Sequence, residues 1–216
     1  MTQPDLGFTH RYIPAPAPLT ADAGPRRTLL LLHGTGGNED DLLGLGQQLD
    51  PSANLLSPRG KVLEHGMPRF FRRLAEGIFD EADLIQRTGE LADFVTTAAS
   101  AYAFDPAQVI AVGYSNGANI AASMLLLRPE ILASAVLLRA MVPLQPAQMP
   151  DLHGRAVLIS AGRADPIIPA AQSQQLAEML QQAGAHVTLR WSAAGHNLLA
   201  GEITAAQEWL HSTAGD

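Results

Sequence analysis

The 216-residue sequence predicts an α/β fold with a central, mostly parallel sheet flanked by helices. Three observations predict it. Short apolar runs of strand length recur along the chain, helix-length amphipathic segments separate them, and the composition is 47% hydrophobic against 16% charged. That balance supplies enough apolar surface to bury a sheet on both faces. A strand, a helix and another strand in succession need a crossover connection, and crossovers make parallel pairs. Chains of this type and length commonly form one unit, so residues 1–216 are expected to be a single domain.

In order, Phe8 to Ile13 reads as a short edge strand, followed by a Pro/Ala/Gly-rich link over 14–27. Thr28 to His33 (TLLLLH) is a continuous apolar run closed by Gly34, Gly36 and Gly37, the pattern of a doubly buried strand that stops in a tight turn. A helix is expected from about Glu39. Further strands are expected at Asn54 to Ser57, Val109 to Tyr114, Ala135 to Met141, Ala156 to Ala161 and His186 to Trp191. Helices are expected near 81–102, 115–128, 169–183 and 201–213, the last two with apolar spacing close to i, i+3, i+4. The stretch 58–80 (PRGKVLEHGMPRFFRRLAEGIFD) breaks this alternation, and so long a connection is more often functional than ordinary.

Composition removes several classes of function. A formal net charge of −7 without a basic stripe argues against nucleic acid as a partner. The absence of cysteine excludes disulfides, a thiolate nucleophile and a cysteine zinc site. The acidic run Glu39-Asp40-Asp41 reads as carboxylates at a helix start, where the macrodipole favours them, so no metal is expected. Residues 1–18 lack the charged start and apolar core of a secretory signal. The longest apolar runs, such as Leu29 to Leu32 and Met124 to Leu127, fall far short of the roughly 20 residues of a membrane span. A cytoplasmic protein with no membrane partner is expected.

The chemistry centres on Gly113-Tyr-Ser115-Asn-Gly117, placed where an apolar strand meets a helix. Glycines are required there because the turn is strained and helix and strand pack closely, which is the setting of a nucleophile elbow. A serine hydroxyl is a weak nucleophile alone and needs a base, with an acid to orient that base. Of the seven histidines, His196 alone both follows a late strand and sits in a glycine-preceded loop before the last helix. His33, at the end of a strand, reads as a structural support for its turn. The acid is expected in a loop after a strand between serine and histidine, and Asp165 in GRADPIIP fits. Asp151 precedes its strand and Glu178 lies mid-helix, so both are poor substitutes. Acyl transfer also needs donors for the developing oxyanion. The N–H of Asn116 follows the nucleophile, and the glycine-rich turn HGTGG offers a second donor at Thr35.

Together HGTGGNEDDLL (33–43), PRG (58–60) with GMPRFFRR (66–73), VGYSNGANIAA (112–122), AGRADPIIP (161–169) and GHNL (195–198) resemble the carboxylesterase/phospholipase branch of the α/β hydrolases. The similarity spans nearly the whole chain and looks strongest toward bacterial hydroquinone-linked carboxylesterases, with acyl-protein thioesterases more distant. The resemblance implies an α/β-hydrolase fold without a separate cap domain. It implies a triad of Ser115, Asp165 and His196, oxyanion positions at Thr35 and Asn116, and no cofactor. The family usually has proline where Ala140 stands.

The sequence thus reads as a serine carboxylesterase acting on small to medium esters through an acyl-enzyme. The rival readings are a thioesterase with the same triad and a hydrolase-fold binding protein without turnover. Met67, Phe70 and Phe71, with Arg69, Arg72 and Arg73, in the long connection, are expected to line part of the substrate pocket, the aromatics and methionine holding an apolar group and one arginine pairing a carboxylate. The alternative is that the aromatics fill core and the arginines pair with Glu76, Asp80 or Glu81. The face carrying AEMLQQAGA, or the last helix, offers a surface for a homodimer.

Overall fold

Residues 4–16 and 26–213 are described by the computed structural model. In chain order the elements are β1 (His10–Ile13), β2 (Thr28–Leu32), α1 (Leu43–Leu49), β3 (Asn54–Pro58), β4 (Val62–Glu64), β5 (Met67–Arg69), β6 (Arg73–Ala75) and β7 (Ile78–Phe79). They continue with α2 (Glu81–Tyr102), β8 (Val109–Tyr114), α3 (Asn116–Leu127), β9 (Ser134–Leu138), β10 (Ala156–Gly162), α4 (Ala170–Gln182), β11 (His186–Ser192) and α5 (Ala200–Ser212). Residues 17–25 of the expected Pro-rich link lie outside the described residues.

Seven strands form one sheet in the order β1-β3-β2-β8-β9-β10-β11. Every neighbouring pair is parallel except the edge pair β1 and β3. The apolar run of β2 alternates between two cores. Leu30 and Leu32 join the cluster that includes buried side chains of α2, α3 and α4, whereas Leu29 and Leu31 join the one with Leu49 of α1 and Trp209 and Leu210 of α5. Each fully buried leucine contributes about 1.5–3 kcal/mol, which is why uninterrupted leucine serves here where a one-faced sheet would alternate.

From β2 the chain moves to β3 on one side, and it returns through α2 to β8 on the other. The order therefore reverses between β2 and β8, and a crevice opens at the carboxyl ends of these two strands, where α/β sheets bind ligands.

Two expected elements are corrected. The helix foreseen from Glu39 begins at Leu43 and has no acidic residue in its first turn. Glu39 instead accepts from Nε and Nη2 of Arg59 at 2.5 and 2.8 Å, Asp40 pairs with Arg11 at 2.7 Å, and Asp41 accepts the Asn38 N–H. The carboxylates pin a loop, so the macrodipole is not their explanation. The strand foreseen to Met141 stops at Leu138, because Arg139 turns into the left-handed region at φ 60°. The long connection folds into two antiparallel hairpins, β4–β5 and β6–β7. Among the described residues, no helix is long and apolar enough to cross a membrane.

Candidate active site

The loops that leave β2, β8, β10 and β11 converge over the crevice, and each carries one of the residues singled out by sequence. Ser115 lies between β8 and α3 with φ 53° and ψ −114°, a conformation L-residues rarely adopt. Its backbone is fixed on both sides: its N–H donates to Leu138 O at 2.9 Å, and its carbonyl accepts from Asn119 N–H at 3.0 Å. The flanking glycines are required by distance. A Cβ on Gly113 would stand 2.5 Å from Gly117 O, and one on Gly117 would stand 1.9 Å from Leu32 O.

His196 Nε2 lies 2.9 Å from Ser115 Oγ, and Nδ1 lies 2.8 Å from Asp165 Oδ2. Asp165 Oδ1 accepts the N–H groups of Ile167 and Ile168 at 2.9 and 3.0 Å. Desolvation opposes ionisation of this carboxyl, but the two N–H donors and His196 outweigh it and hold it below the usual aspartate value. An ionised Asp165 can only accept, so Nδ1 carries the proton and Nε2 faces the serine hydroxyl as an acceptor.

The loop bearing His196 is held from outside by three successive carbonyls. Gly195 O accepts from Arg139 Nε at 2.9 Å, His196 O from the Tyr114 hydroxyl at 2.9 Å, and Asn197 O from Arg139 Nη2 at 2.6 Å. Arg139 has no solvent exposure, and both its terminal nitrogens meet the Glu202 carboxylate at 2.8 Å. Desolvation works against the Glu202 anion, yet hydrogen bonds from Arg139, Ser160 and the Leu199 N–H bring its pKa down to about 2. Sequence reasoning missed Arg139 and Tyr114. The available signal was an arginine ending the apolar run AVLL, a position where an unpaired cation is not tolerated.

Thr35 and Asn116 both border the cavity above Ser115, and neither backbone N–H has a hydrogen-bond partner among the described residues. Their side chains are fixed by the β4–β5 hairpin. Arg69 donates to Thr35 Oγ1 at 2.7 Å, the Phe70 N–H donates to Asn116 Oδ1 at 2.8 Å, and the Gly36 N–H reaches Pro68 O at 2.9 Å. His33 supports the same turn, as its position suggested: Nε2 accepts the Gly60 N–H at 3.0 Å and Nδ1 donates to Gly34 O. Burial disfavours its imidazolium and pushes its pKa below 6.5.

Residues 19–214 match the family model described as Phospholipase/Carboxylesterase. The chain belongs to the phospholipase/carboxylesterase family. Relatives of this family member include the Bacillus subtilis protein MhqD, described as a hydrolase, at 52% identity over 84% of the chain and 90% of that protein. The Bacillus cereus carboxylesterase structure is 49% identical with a TM-score of 0.90, covering 95% of this chain and 94% of the other. A carboxylesterase structure from Mesorhizobium loti is 32% identical with a TM-score of 0.84, covering 98% and 97%. The fold is that of the α/β hydrolases, and the family is one of ester-hydrolysing enzymes.

In this phospholipase/carboxylesterase family member the cavity over Ser115 holds about 390 Å³. Its walls keep Arg69 and Arg73 of the expected pocket and correct the rest. Met67, Phe70, Phe71 and Arg72 are all outside its lining. Phe70 and Phe71 are buried in the core, Arg72 pairs with Asp80 at 3.1 Å, and Met67 packs toward Gly36. For the two aromatics and Arg72 the core-and-ion-pair alternative holds: Phe70 and Phe71 lie between the two hairpins and are both buried, while Arg72 stays exposed beside Asp80. The lining includes the apolar Phe79, Met141, Ile167 and Ile168 and the charged Arg69, Arg73 and Glu76, together with Ser115 and His196.

Proposed function

We propose that the chain is a serine carboxylesterase that hydrolyses small to medium carboxylic esters through an acyl-enzyme. The observation that carries this reading is the unbroken line from Ser115 Oγ through His196 to Asp165, at 2.9 and 2.8 Å, with the serine held in a strained turn. Ser115 attacks the ester carbonyl while His196 Nε2 takes its proton. The oxygen that becomes negative is met by the N–H groups of Thr35 and Asn116, each worth roughly 2.7–4 kcal/mol in comparable sites. His196 then gives its proton to the departing alcohol, leaving an acyl-serine. Water attacks that ester with His196 again as base, and the carboxylic acid leaves. No cofactor enters the cycle. A cavity of about 390 Å³ supports small and medium acyl groups over long chains.

Initial rates on p-nitrophenyl acetate, butyrate and octanoate, for wild type and Ser115→Ala side by side, test the reading. We expect the variant to lose about 10³-fold or more, and octanoate to be the poorest substrate. Equal rates in both proteins would remove Ser115 from the mechanism. A butyryl thioester turned over far faster than the oxygen ester would make the chain a thioesterase.

A further inference from the structure

Three of the five positions in the segment Arg69-Phe-Phe-Arg72-Arg73 are arginines, and the fold treats them differently. Arg72 is exposed and paired with Asp80 and Asp83. Arg73 donates to Glu64 Oε1 at 2.9 Å. Arg69 is only 3% exposed, yet it lines the cavity shared by Ser115 and His196. Burying a guanidinium is costly unless acceptors surround it.

Arg69 is incompletely served. Its Nε donates to Phe71 O at 3.2 Å and its Nη1 to the neutral Thr35 hydroxyl at 2.7 Å. Glu64 Oε2 forms an ion pair with Nη1 at 3.3 Å but no hydrogen bond, while Glu64 Oε1 accepts from Arg73. Nη2, with two N–H donors, has no hydrogen-bond partner among the described residues. Two guanidiniums thus share one carboxylate beside the cavity. The acidic residue of the lining, Glu76, is exposed at the turn between β6 and β7.

We propose that Arg69 is the subsite for a carboxylate on the acyl part of the substrate, so that the preferred esters are half-esters of short dicarboxylic acids. The inference rests on the esterase reading above and names its substrate class. Thr35 sets the reach. The same residue presents an N–H beside Ser115 and a hydroxyl held by Arg69, so the cation lies about one short side chain from the site of the carbonyl oxygen. A carboxylate two or three carbons beyond the scissile carbonyl spans that gap. Phe79, Met141, Ile167 and Ile168 then face the hydrocarbon between the two groups. The reaction is ordinary ester hydrolysis: water supplies the hydroxyl of the new acid and the proton of the departing alcohol, and the new carboxylic acid releases its own proton to solvent, so that the product leaves as a dicarboxylate.

Monomethyl succinate and methyl butyrate have acyl groups of nearly equal size and differ by the terminal charge. With wild type, methanol release should give a kcat/KM about tenfold or more higher for monomethyl succinate, as expected of a charge-assisted hydrogen bond. In Arg69→Met that ratio should collapse to about one, and Arg69→Lys should retain part of it. The ratio is the readout because loss of Arg69 also frees Thr35, which slows both esters alike. Calorimetric titration of both esters into Ser115→Ala separates this proposal from the reaction itself. Tighter binding of monomethyl succinate, abolished by adding Arg69→Met, supports the subsite even if wild type turns over neither ester. Equal binding of the two esters, or a preference unchanged by Arg69→Met and Arg69→Lys, overturns it.

Discussion

Ser115 is held at φ 53° and ψ −114°, outside the regions L-residues ordinarily adopt, and such residues cost about 1–3 kcal/mol. The structure maintains it through the Leu138 carbonyl and the first turn of α3. Glycine suffers no Cβ penalty there, although it loses more chain entropy on folding. Ser115→Gly should therefore be more stable than wild type by about 1 kcal/mol in urea unfolding while having no esterase activity. A variant less stable than wild type would mean that the elbow is not strained. The serine, its flanking glycines, His196 and Asp165 were all legible in the sequence, because each requirement falls on a residue type with few substitutes. Only glycine tolerates the 1.9 Å approach at position 117, and only an ordered strand-loop series brings a serine, an acid and a histidine to one sheet edge.

At the scale of elements, the strands and helices were legible from apolar runs, and the hairpins of 59–80 were not. Their strands are two or three residues long, too short to show alternation, and they carry charged and apolar side chains in mixed order. The role of β4–β5 is equally hidden, since it acts mainly through backbone groups: Pro68 O and the Phe70 N–H brace Gly36 and Asn116. The hairpin lies so close to the exit of β3 that a Cβ on Gly60 would stand 2.3 Å from Arg69 C and O. Gly60→Ala must push the hairpin away, at about 1–3 kcal/mol of stability. We expect kcat to fall about tenfold or more as Thr35 and Asn116 lose their alignment, because misplaced groups lose rate steeply. Unaltered kcat alongside lowered stability would show that the hairpin is packing alone. Arg139 escaped the sequence reading for a related reason: its partner Glu202 is 63 residues away, and only the closed sheet brings the two together.

For the whole molecule, that pairing links stability to pH. The Glu202 carboxyl titrates at about 2 in the fold against an ordinary 4.5. A depressed carboxylate pKa stabilises the folded state above pH 4.5, and the contribution is lost as pH falls through the folded value. The difference corresponds to about 3 kcal/mol. Glu202→Gln should unfold more easily than wild type at pH 7 by up to about that amount, and the two curves should converge near pH 2. A gap that persists at pH 2 would assign the loss to packing instead of charge.

The same ion pair has a consequence for the way the protein tolerates change at its C-terminal helix. Glu202 sits in the first turn of α5, far along the chain from the elbow, yet the guanidinium it neutralises grips the carbonyls on both sides of His196. A fusion partner, a proteolytic nick or a surface redesign that unwinds that one turn would leave Ser115 and the hairpins in place and loosen only the part of the cavity that His196 lines. The proposed esterase activity would be lost with most of the fold undisturbed, because the imidazole would have lost its anchor.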